Sequence, residues 1–243
     1  MDACTDRGTI CGSKKRGTIL IRLGKGEENM KIKVDALTKK IKGTTVLENI
    51  SYEFTGGNIY GVVGKNGSGK TMLLRELAGL IHPTVGTVRV DGRRLHHDLS
   101  FPPNLGLIIE KPEFINYLTG FENLKLLAEI RHIASDETIR DFMKMFSLDP
   151  DSKQSMKKYS LGMKQKIGII QAVMENPDLL ILDEPFNALD EDSVEMLREL
   201  LRQYQKDGKL IIITSHHKED IDAICSHILL LQDGKLVQEM KNR

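Results

Sequence analysis

The sequence has no tryptophan, few aromatic residues (5% of the chain) and only three cysteines. Cys4 and Cys11 are near the amino terminus, so Cys225 is alone in the rest of the chain and no disulfide framework is available there. A reducing, cytoplasmic compartment is therefore favoured. No apolar run approaches the ~20 residues of a membrane-spanning helix. Any membrane role would depend on another chain, and we expect no signal peptide.

Positive and negative side chains are almost balanced, with 35 Lys and Arg against 34 Asp and Glu, a formal net charge of +1. A chain without a basic excess has no bulk attraction for nucleic acid, so we expect none as a partner. Of the 243 residues, 40% are hydrophobic and 28% are charged, which is typical of a globular protein. This length accommodates one large domain, or a core with a smaller lobe.

Residues 1–29 differ from the remainder because they have no hydrophobic period and no helix start or stop signal. The codons for Gly26-Glu27-Glu28, just before Met30, readily spell a purine-rich ribosome-binding site. We interpret Met30 as the native start and residues 1–29 as a start-site misassignment. A short disordered tail is the alternative. The folded domain is predicted to span residues 30–243.

Two kinds of strand pattern follow residue 30. Segments that alternate or carry β-forming residues, with glycine-containing turns beside them, predict an antiparallel β layer; they cover residues 32–36, 46–54 and 87–90. Continuous apolar runs predict strands covered by helices on both faces; they cover residues 59–63, 179–182, 210–214 and 228–231. The predicted fold class is therefore α/β, with a parallel sheet flanked by helices.

Helical spacing replaces the strand patterns in the middle of the chain, at residues 120–131 and 136–146. Strands, then helices, then strands alternating with helices predict an α/β core with a helical side lobe. We place this lobe at about residues 110–165. No internal repeat or low-complexity segment is present in residues 30–243.

The motif with the clearest chemistry is the octapeptide Gly64-Lys65-Asn66-Gly67-Ser68-Gly69-Lys70-Thr71. It satisfies the G-x-x-x-x-G-K-[ST] pattern of a phosphate-binding loop, between an apolar strand and a helical run. The glycines let successive N–H groups point into one concavity, and the helix N-terminus favours an anion. We expect Lys70 to contact the β- and γ-phosphates and the Thr71 hydroxyl to bind Mg²⁺. The alternative, a glycine-rich turn with an accidental Lys-Thr, is disfavoured by the flanking strand and helix.

A pair of carboxylates, Asp183 and Glu184, follows the apolar run 179–182. The carboxyl ends of such strands are where open α/β folds bind ligands. We expect Asp183 to hold Mg²⁺, and Glu184 to orient or deprotonate the attacking water. Two solvated acids before a turn are the alternative, which the presence of the phosphate-binding loop disfavours.

Three further segments, taken with these motifs, resemble the ATP-binding cassette (ABC) ATPases. Ser160-Leu161-Gly162 opens a helical run and is similar to the signature sequence of that family, Leu-Ser-Gly-Gly-Gln. Ala188-Leu189-Asp190 stands at the spacing of the family's D-loop, and His216 ends an apolar strand as its switch histidine does. His217 is adjacent, but the following acids align better with His216 as the switch. The motif order matches from about residue 31 onward.

The resemblance implies an ABC nucleotide-binding domain with a P-loop NTPase core, which hydrolyses ATP to ADP and phosphate with Mg²⁺. In the family, the signature caps the γ-phosphate held by the opposite subunit, so two ATP molecules join a head-to-tail dimer. This implies a nucleotide contact for Ser160, Gly162 and Asp190, and a γ-phosphate contact for His216. A plain helix N-cap is the other interpretation of Ser160, and a surface or core histidine that of His216.

Three features depart from the family pattern. Glu110 stands in place of the Q-loop glutamine, and we include it among the metal-site candidates. Ile41 occupies the position of the aromatic residue that stacks on adenine, a contact worth roughly 1–3 kcal/mol, so either weaker nucleotide binding or looser selectivity for the base is expected. The signature has Leu161 and Met163 where glycine and glutamine are usual. None of these removes the catalytic candidates.

Glu110, together with residues 160–165 and 183–190, resembles the ATP-binding subunits of bacitracin-type and lantibiotic-immunity exporters. The resemblance implies transmembrane permease subunits as partners and a peripheral location on the inner face of the cell membrane. A soluble ABC ATPase without a membrane partner is the alternative. A regulatory nucleotide-binding module without turnover is disfavoured by the presence of Glu184 and His216.

Overall fold

A computed structural model describes residues 29–216 and 218–242. The segment interpreted as a start-site misassignment or a disordered tail lies outside the described residues except for Asn29, and so does His217. In chain order the elements are β1 (Lys31–Ile41), β2 (Thr44–Thr55), β3 (Asn58–Val63), α1 (Lys70–Leu77), β4 (Val85–Val90), β5 (Arg93–Arg94), β6 (Leu105–Ile108), α2 (Gly120–Arg131), α3 (Asp136–Met145), α4 (Leu161–Val173), β7 (Leu179–Leu182), α5 (Glu191–Lys206), β8 (Leu210–Thr214), α6 (Lys218–Ile224), β9 (His227–Gln232) and β10 (Lys235–Lys241). A short 3-10 helix, Met156–Lys158, precedes α4.

Four strands form an antiparallel sheet in the order β2-β1-β4-β5. β1 and β2 are joined at Lys42 and Gly43, whose φ angles are 49° and 85°, as a two-residue hairpin turn with positive φ at both positions requires. Along β1 the buried Ile32 and Val34 alternate with exposed lysines. The predicted antiparallel β layer is therefore confirmed.

Six strands form the second sheet in the order β10-β9-β3-β8-β7-β6, in which β10 alone is antiparallel to its neighbour. Leu180 and Leu182 of β7 pack into one hydrophobic cluster with the helices that follow β6. Leu179 and Ile181 pack into another, with α1 and the antiparallel sheet. Because both faces of β7 are covered, every position on it is apolar, as the run predicted.

The sequence analysis did not predict β5, β6 or β10. β6 and β10 are the two edge strands of the six-stranded sheet. β6 has only four residues, one of them a glycine, so it lacks the continuous apolar run by which the equally short β7 was predicted. β10 is polar and mostly exposed. Edge strands need less apolar surface than central ones, so their sequence signal is weak.

The predicted helical segments are present as α2 and α3, within one residue of the expected bounds. Thr119 caps α2 in a capping box with Glu122, and Ser135 caps α3. Phe142 and Phe146 are buried in the cluster that also contains residues of α4. None of the described helices combines the length and apolar character needed to cross a bilayer.

The parallel strands bring the motifs to one edge of the sheet. β3 pairs with β8, and β8 pairs with β7, all in parallel. The chain therefore leaves β3 into residues 64–69, β7 into Asp183, and β8 into residues 215–216 at the same edge. This is where sequence motifs separated by more than 100 residues meet.

Candidate nucleotide-binding site

The loop 64–69 connects β3 to α1 and packs tightly against β9. A Cβ atom at Gly64 would overlap the Leu231 carbonyl oxygen, so only glycine fits there. Gly69, the N-cap of α1, has a φ of 103°, in the region that favours glycine. The Lys70 Nζ donates to the carbonyl oxygens of Gly64 (2.8 Å) and Lys65 (3.3 Å). The loop thus curls around its own lysine at a helix N-terminus, the geometry of an anion cradle.

Asp183 is buried between two hydroxyl groups from different elements. The Thr71 Oγ1 donates to Asp183 Oδ2 over 2.8 Å, and the Thr214 Oγ1 donates to Asp183 Oδ1. The sequence analysis expected Thr71 and Asp183 to share a metal ion, and the structure brings them into direct contact. An alcohol and a carboxylate are oxygen ligands of the kind that Mg²⁺ prefers.

Thr214 is a site residue that the sequence analysis missed. Besides its bond to Asp183, its Oγ1 accepts from the Glu184 backbone N–H over 2.9 Å. One hydroxyl therefore fixes both members of the acidic pair. Its position at the end of an apolar strand, two residues before His216, was the available signal.

Glu184 and His216 are also in contact. The His216 Nδ1 lies 2.7 Å from Glu184 Oε2, and the His216 backbone N–H donates to the same oxygen over 3.2 Å. Glu184 has a φ of 50°, a conformation that costs a non-glycine residue roughly 1 kcal/mol. The predicted base and the predicted switch histidine thus form a dyad at the ends of two neighbouring strands.

Glu110 follows β6 and has a close partner. Its Oε1 accepts from Arg75 Nη2 over 2.7 Å. It also lines a cleft of about 340 Å³ together with Asp183 and Glu184. The structure therefore places Glu110 next to the acidic pair, but gives its carboxylate a cationic partner that the sequence analysis did not anticipate.

The signature segment forms the start of α4. The Ser160 Oγ caps this helix by accepting from the Met163 N–H over 3.2 Å, and Ser160 itself is exposed. A Cβ atom at Gly162 would lie 2.5 Å from the Ala188 carbonyl oxygen. The Gln165 Nε2 donates to the Pro185 carbonyl oxygen over 3.1 Å. The signature helix thus packs directly on the segment that follows the acidic pair.

Asp190 caps α5 and is engaged by groups of its own chain. Its Oδ2 accepts from Lys166 Nζ over 2.8 Å, and its Oδ1 accepts from the Ser193 N–H over 2.9 Å. The Lys166 ammonium, followed by the Ser193 donors, holds the pKa of Asp190 well below its usual range. Within the described part of the chain, neither Ser160 nor Asp190 hydrogen-bonds to the loop 64–69. Their nucleotide contacts remain predictions.

Comparison with known proteins agrees with this geometry. The family described as ABC transporter matches residues 47–187. An uncharacterized ABC transporter ATP-binding protein of Bacillus subtilis, YybJ, is 52% identical over 205 residues, covering 84% of this chain and 94% of that protein. The bacitracin transport ATP-binding protein BcrA of Enterococcus faecalis is 37% identical, covering 86% and 68%. The lantibiotic transport ATP-binding protein SrtF of Streptococcus pyogenes is 32% identical, covering 86% and 90%.

Solved structures show the same fold. One described as the ATP-binding subunit of an ABC transporter has a TM-score of 0.79 and 26% identity, and the match covers 86% of this chain and 89% of that one. The predicted α/β fold is confirmed, and so is the resemblance to bacitracin- and lantibiotic-type proteins. The chain therefore belongs to the ABC transporter family, as one of its ATP-binding proteins.

Proposed function

We propose that this chain is a Mg²⁺-dependent ATPase subunit that energises a separate transmembrane permease. It would act from the inner face of the cell membrane, and its cargo would be an antimicrobial peptide of the bacitracin or lantibiotic class. The similarity to BcrA, a bacitracin transport protein, and to SrtF, a lantibiotic transport protein, supports this assignment. The observation that supports the enzymatic part is that Thr71 and Thr214 both donate to Asp183, while the Thr214 hydroxyl also accepts from the Glu184 N–H, at one edge of the sheet.

The residues present fit a magnesium ion. Thr71 and Asp183 supply an alcohol and a carboxylate oxygen that already lie 2.8 Å apart, and hard oxygen donors suit this cation. Bound Mg²⁺ supplies charge neutralisation at the β- and γ-phosphates. Glu110 lines the adjoining cleft, and we assign it a contact with the metal shell.

The phosphate-binding role rests on the loop and on Lys70. Lys70 is largely buried and uses loop carbonyl oxygens as acceptors. Phosphate oxygens are stronger acceptors because they carry negative charge. We infer that the Lys70 ammonium exchanges these carbonyls for the β- and γ-phosphates, while backbone N–H groups of residues 64–71 bind the remaining oxygens.

Glu184 and His216 carry the hydrolytic step. Glu184 accepts the proton of the attacking water as general base, or orients that water. The His216 imidazole and backbone N–H, both on Glu184 Oε2, fix the direction of the carboxylate. His216 then contacts the γ-phosphate when nucleotide is bound. Thr214 anchors the Glu184 backbone, so that the base and the metal-binding Asp183 keep a fixed spacing.

The signature residues act on the nucleotide of a second subunit. Ser160 is exposed at the N-terminus of the 13-residue helix α4, and Leu161 beside it is also exposed. A hydroxyl and a helix N-terminus together form an anion site. We infer a two-fold symmetric dimer in which Ser160 and Gly162 of each subunit cap the γ-phosphate of the other, with Asp190 beside that interface.

Two sets of measurements test the proposal, one on the purified chain and one in its native host. The purified chain should hydrolyse ATP with added Mg²⁺ and lose that activity in EDTA. In its native host, the chain should sediment with membranes and co-purify with a polytopic permease after detergent extraction, and its deletion should lower resistance to a bacitracin- or lantibiotic-type peptide. A soluble ABC ATPase would be favoured instead if the chain hydrolyses ATP but is recovered only in the soluble fraction, and if its deletion leaves peptide resistance unchanged.

A further inference from the structure

One face of α1 holds the carboxylates that follow two neighbouring strands. Thr71 and Arg75 are four residues apart and therefore lie on the same face of this helix, one turn or about 6 Å apart along its axis. Thr71 donates to Asp183, and Arg75 donates to Glu110 over 2.7 Å. The helix that begins with the phosphate-binding lysine thus contacts both acidic sites.

The strand register explains why these two carboxylates are close. β6 and β7 are parallel neighbours, with Ile108 opposite Leu182. Asp183 is the first residue after β7, and Glu110 is the second residue after β6. Both side chains line the cleft of about 340 Å³ that also contains Glu184. A charge on Glu110 is therefore placed beside two other carboxylates and the proposed position of the triphosphate.

This arrangement needs a compensating cation. The cleft is lined by three carboxylates against one cation, Lys111. The carboxylates repel one another and a triphosphate, and the interaction of charges about 4–8 Å apart near a protein surface amounts to a few kcal/mol. The Arg75 guanidinium, 28% exposed, is the group that contacts Glu110. A glutamine at position 110, which the family resemblance makes the usual residue, would be neutral and would need no such partner.

We propose that Arg75 is a positioning residue that neutralises Glu110, so that the Arg75–Glu110 pair acts as one net-neutral unit in place of a single glutamine. The inference rests on the proposed nucleotide site. In this interpretation, Arg75 allows a glutamate to occupy position 110 without weakening the binding of ATP.

The test is the affinity for ATP without metal, measured by equilibrium binding in EDTA. Arg75→Gln leaves the Glu110 charge uncompensated and is expected to weaken binding by roughly three- to tenfold. Glu110→Gln leaves the arginine charge and is expected to strengthen binding by a similar factor. The double variant, with both charges removed, should return to about the wild-type value. Arg75→Lys, which keeps the charge, should stay close to wild type.

A matched control is available on α3. Arg140 donates to Asp151 over 2.8 Å, and the exposures of this pair, 37% and 73%, are close to the 28% and 62% of Arg75 and Glu110. Arg140→Gln should leave the affinity for ATP unchanged. Thermal unfolding of each variant separates loss of binding from loss of folding.

The outcomes distinguish this inference from the proposed function. If the wild-type chain binds no ATP, the proposed function itself fails. If the wild-type chain binds ATP but Arg75→Gln and Glu110→Gln shift the affinity in the same direction, or no more than Arg140→Gln does, the charge-compensation role of Arg75 is wrong. If Arg75→Lys is as defective as Arg75→Gln, the arginine acts by its shape rather than by its charge, and the inference also fails.

Discussion

The Glu184 carboxylate and the His216 imidazole lie 2.7 Å apart, although 32 residues separate them in the chain. They meet because β7 and β8 are parallel neighbours in which Leu182 is opposite Ile213. The chain leaves both strands at the same level, so the residues that follow them are adjacent. The proposed base is therefore oriented by a histidine of its own chain.

Glu184→Gln should abolish ATP hydrolysis while preserving ATP binding. The amide retains the shape of the carboxylate but cannot accept the proton of the water, a loss worth roughly 10²–10⁴-fold in rate. We expect the variant to accumulate as an ATP-stabilised dimer, detected by size-exclusion chromatography with and without ATP. Glu191→Gln, at the exposed start of α5, is the control. Wild-type turnover by Glu184→Gln would contradict the role assigned to this residue.

Lys70→Ala should weaken the binding of ATP rather than its hydrolysis alone. The variant removes the charged donor that now contacts the carbonyl oxygens of Gly64 and Lys65. A hydrogen bond to a charged group is worth about 1.5–3 kcal/mol, so the dissociation constant for ATP should rise roughly 10- to 100-fold. Equilibrium binding measures this, with Lys206→Ala on α5 as a control for loss of charge. An unchanged affinity would overturn the assignment of the phosphate-binding loop.

The motif residues could be predicted from sequence because each lies in a local pattern that fixes its place. Lys70 and Thr71 stand between an apolar strand and a helical run, and Asp183 directly follows the buried run 179–182. Parallel strands bring such positions to one edge of a sheet whatever the lengths of the connections. The edge strand β6 was not predicted, because a glycine interrupts its four residues and no continuous apolar run marks it.

The partners of these residues could not be predicted in the same way. Arg75 is one of several charged residues on α1, and nothing local marks it as the partner of Glu110, 35 residues away. The contact of Thr214 with Asp183 spans 31 residues. Both contacts depend on the order and register of the strands, which the local hydrophobic pattern does not specify.

Thr214→Val should remove the hydroxyl group that links Asp183 to the backbone of Glu184. Valine has nearly the shape of threonine but lacks the hydroxyl that donates to Asp183 and accepts from the Glu184 N–H. Because Thr214 is fully buried, both groups would lose a partner, at a cost of about 1–3 kcal/mol in the free energy of unfolding. Urea unfolding and ATPase assays should both detect the change. Thr214→Ser, which retains the hydroxyl, should be closer to wild type, and equal behaviour of the two variants would contradict the role of the hydroxyl.

Ile41→Tyr should tighten ATP but not inorganic triphosphate. Ile41 is the last residue of β1 and is 37% exposed, so a larger side chain can be placed there without disturbing the core. The family resemblance aligns this residue with the one that stacks on adenine, so the ring should add roughly 1 kcal/mol of stacking, or about fivefold in affinity. Competition binding with the two ligands measures the difference. An equal gain for triphosphate, or a gain shared by Ile41→Val, would show that the base is not involved.

The side chain of Glu76, in the last turn of α1, should make the stability of the protein depend on pH. It is fully buried, and neither carboxylate oxygen has a hydrogen-bond partner among the described residues. The nearest cation, the Lys39 Nζ, is 3.8 Å away. Burial raises the pKa of Glu76 from its ordinary value of 4.5 to about 7, although Lys39 acts in the opposite direction. The folded chain therefore holds the Glu76 proton across a pH range in which the unfolded chain releases it.

The sign of the effect follows from this difference in proton binding. Between pH 4.5 and 7 the folded state binds more protons at Glu76 than the unfolded state, so the free energy of unfolding falls as the pH rises. Above pH 7 the full penalty, on the order of 3 kcal/mol, is present. Glu76→Gln removes the titration, because glutamine stays neutral. Its free energy of unfolding relative to wild type should therefore increase by about 2–3 kcal/mol between pH 5 and pH 8, measured by urea unfolding at each pH. Glu53→Gln, at an exposed position on β2, is the control, and its free energy of unfolding relative to wild type should not change with pH. If the value for Glu76→Gln is also independent of pH, Glu76 is ionised in the folded protein throughout this range and the prediction is wrong.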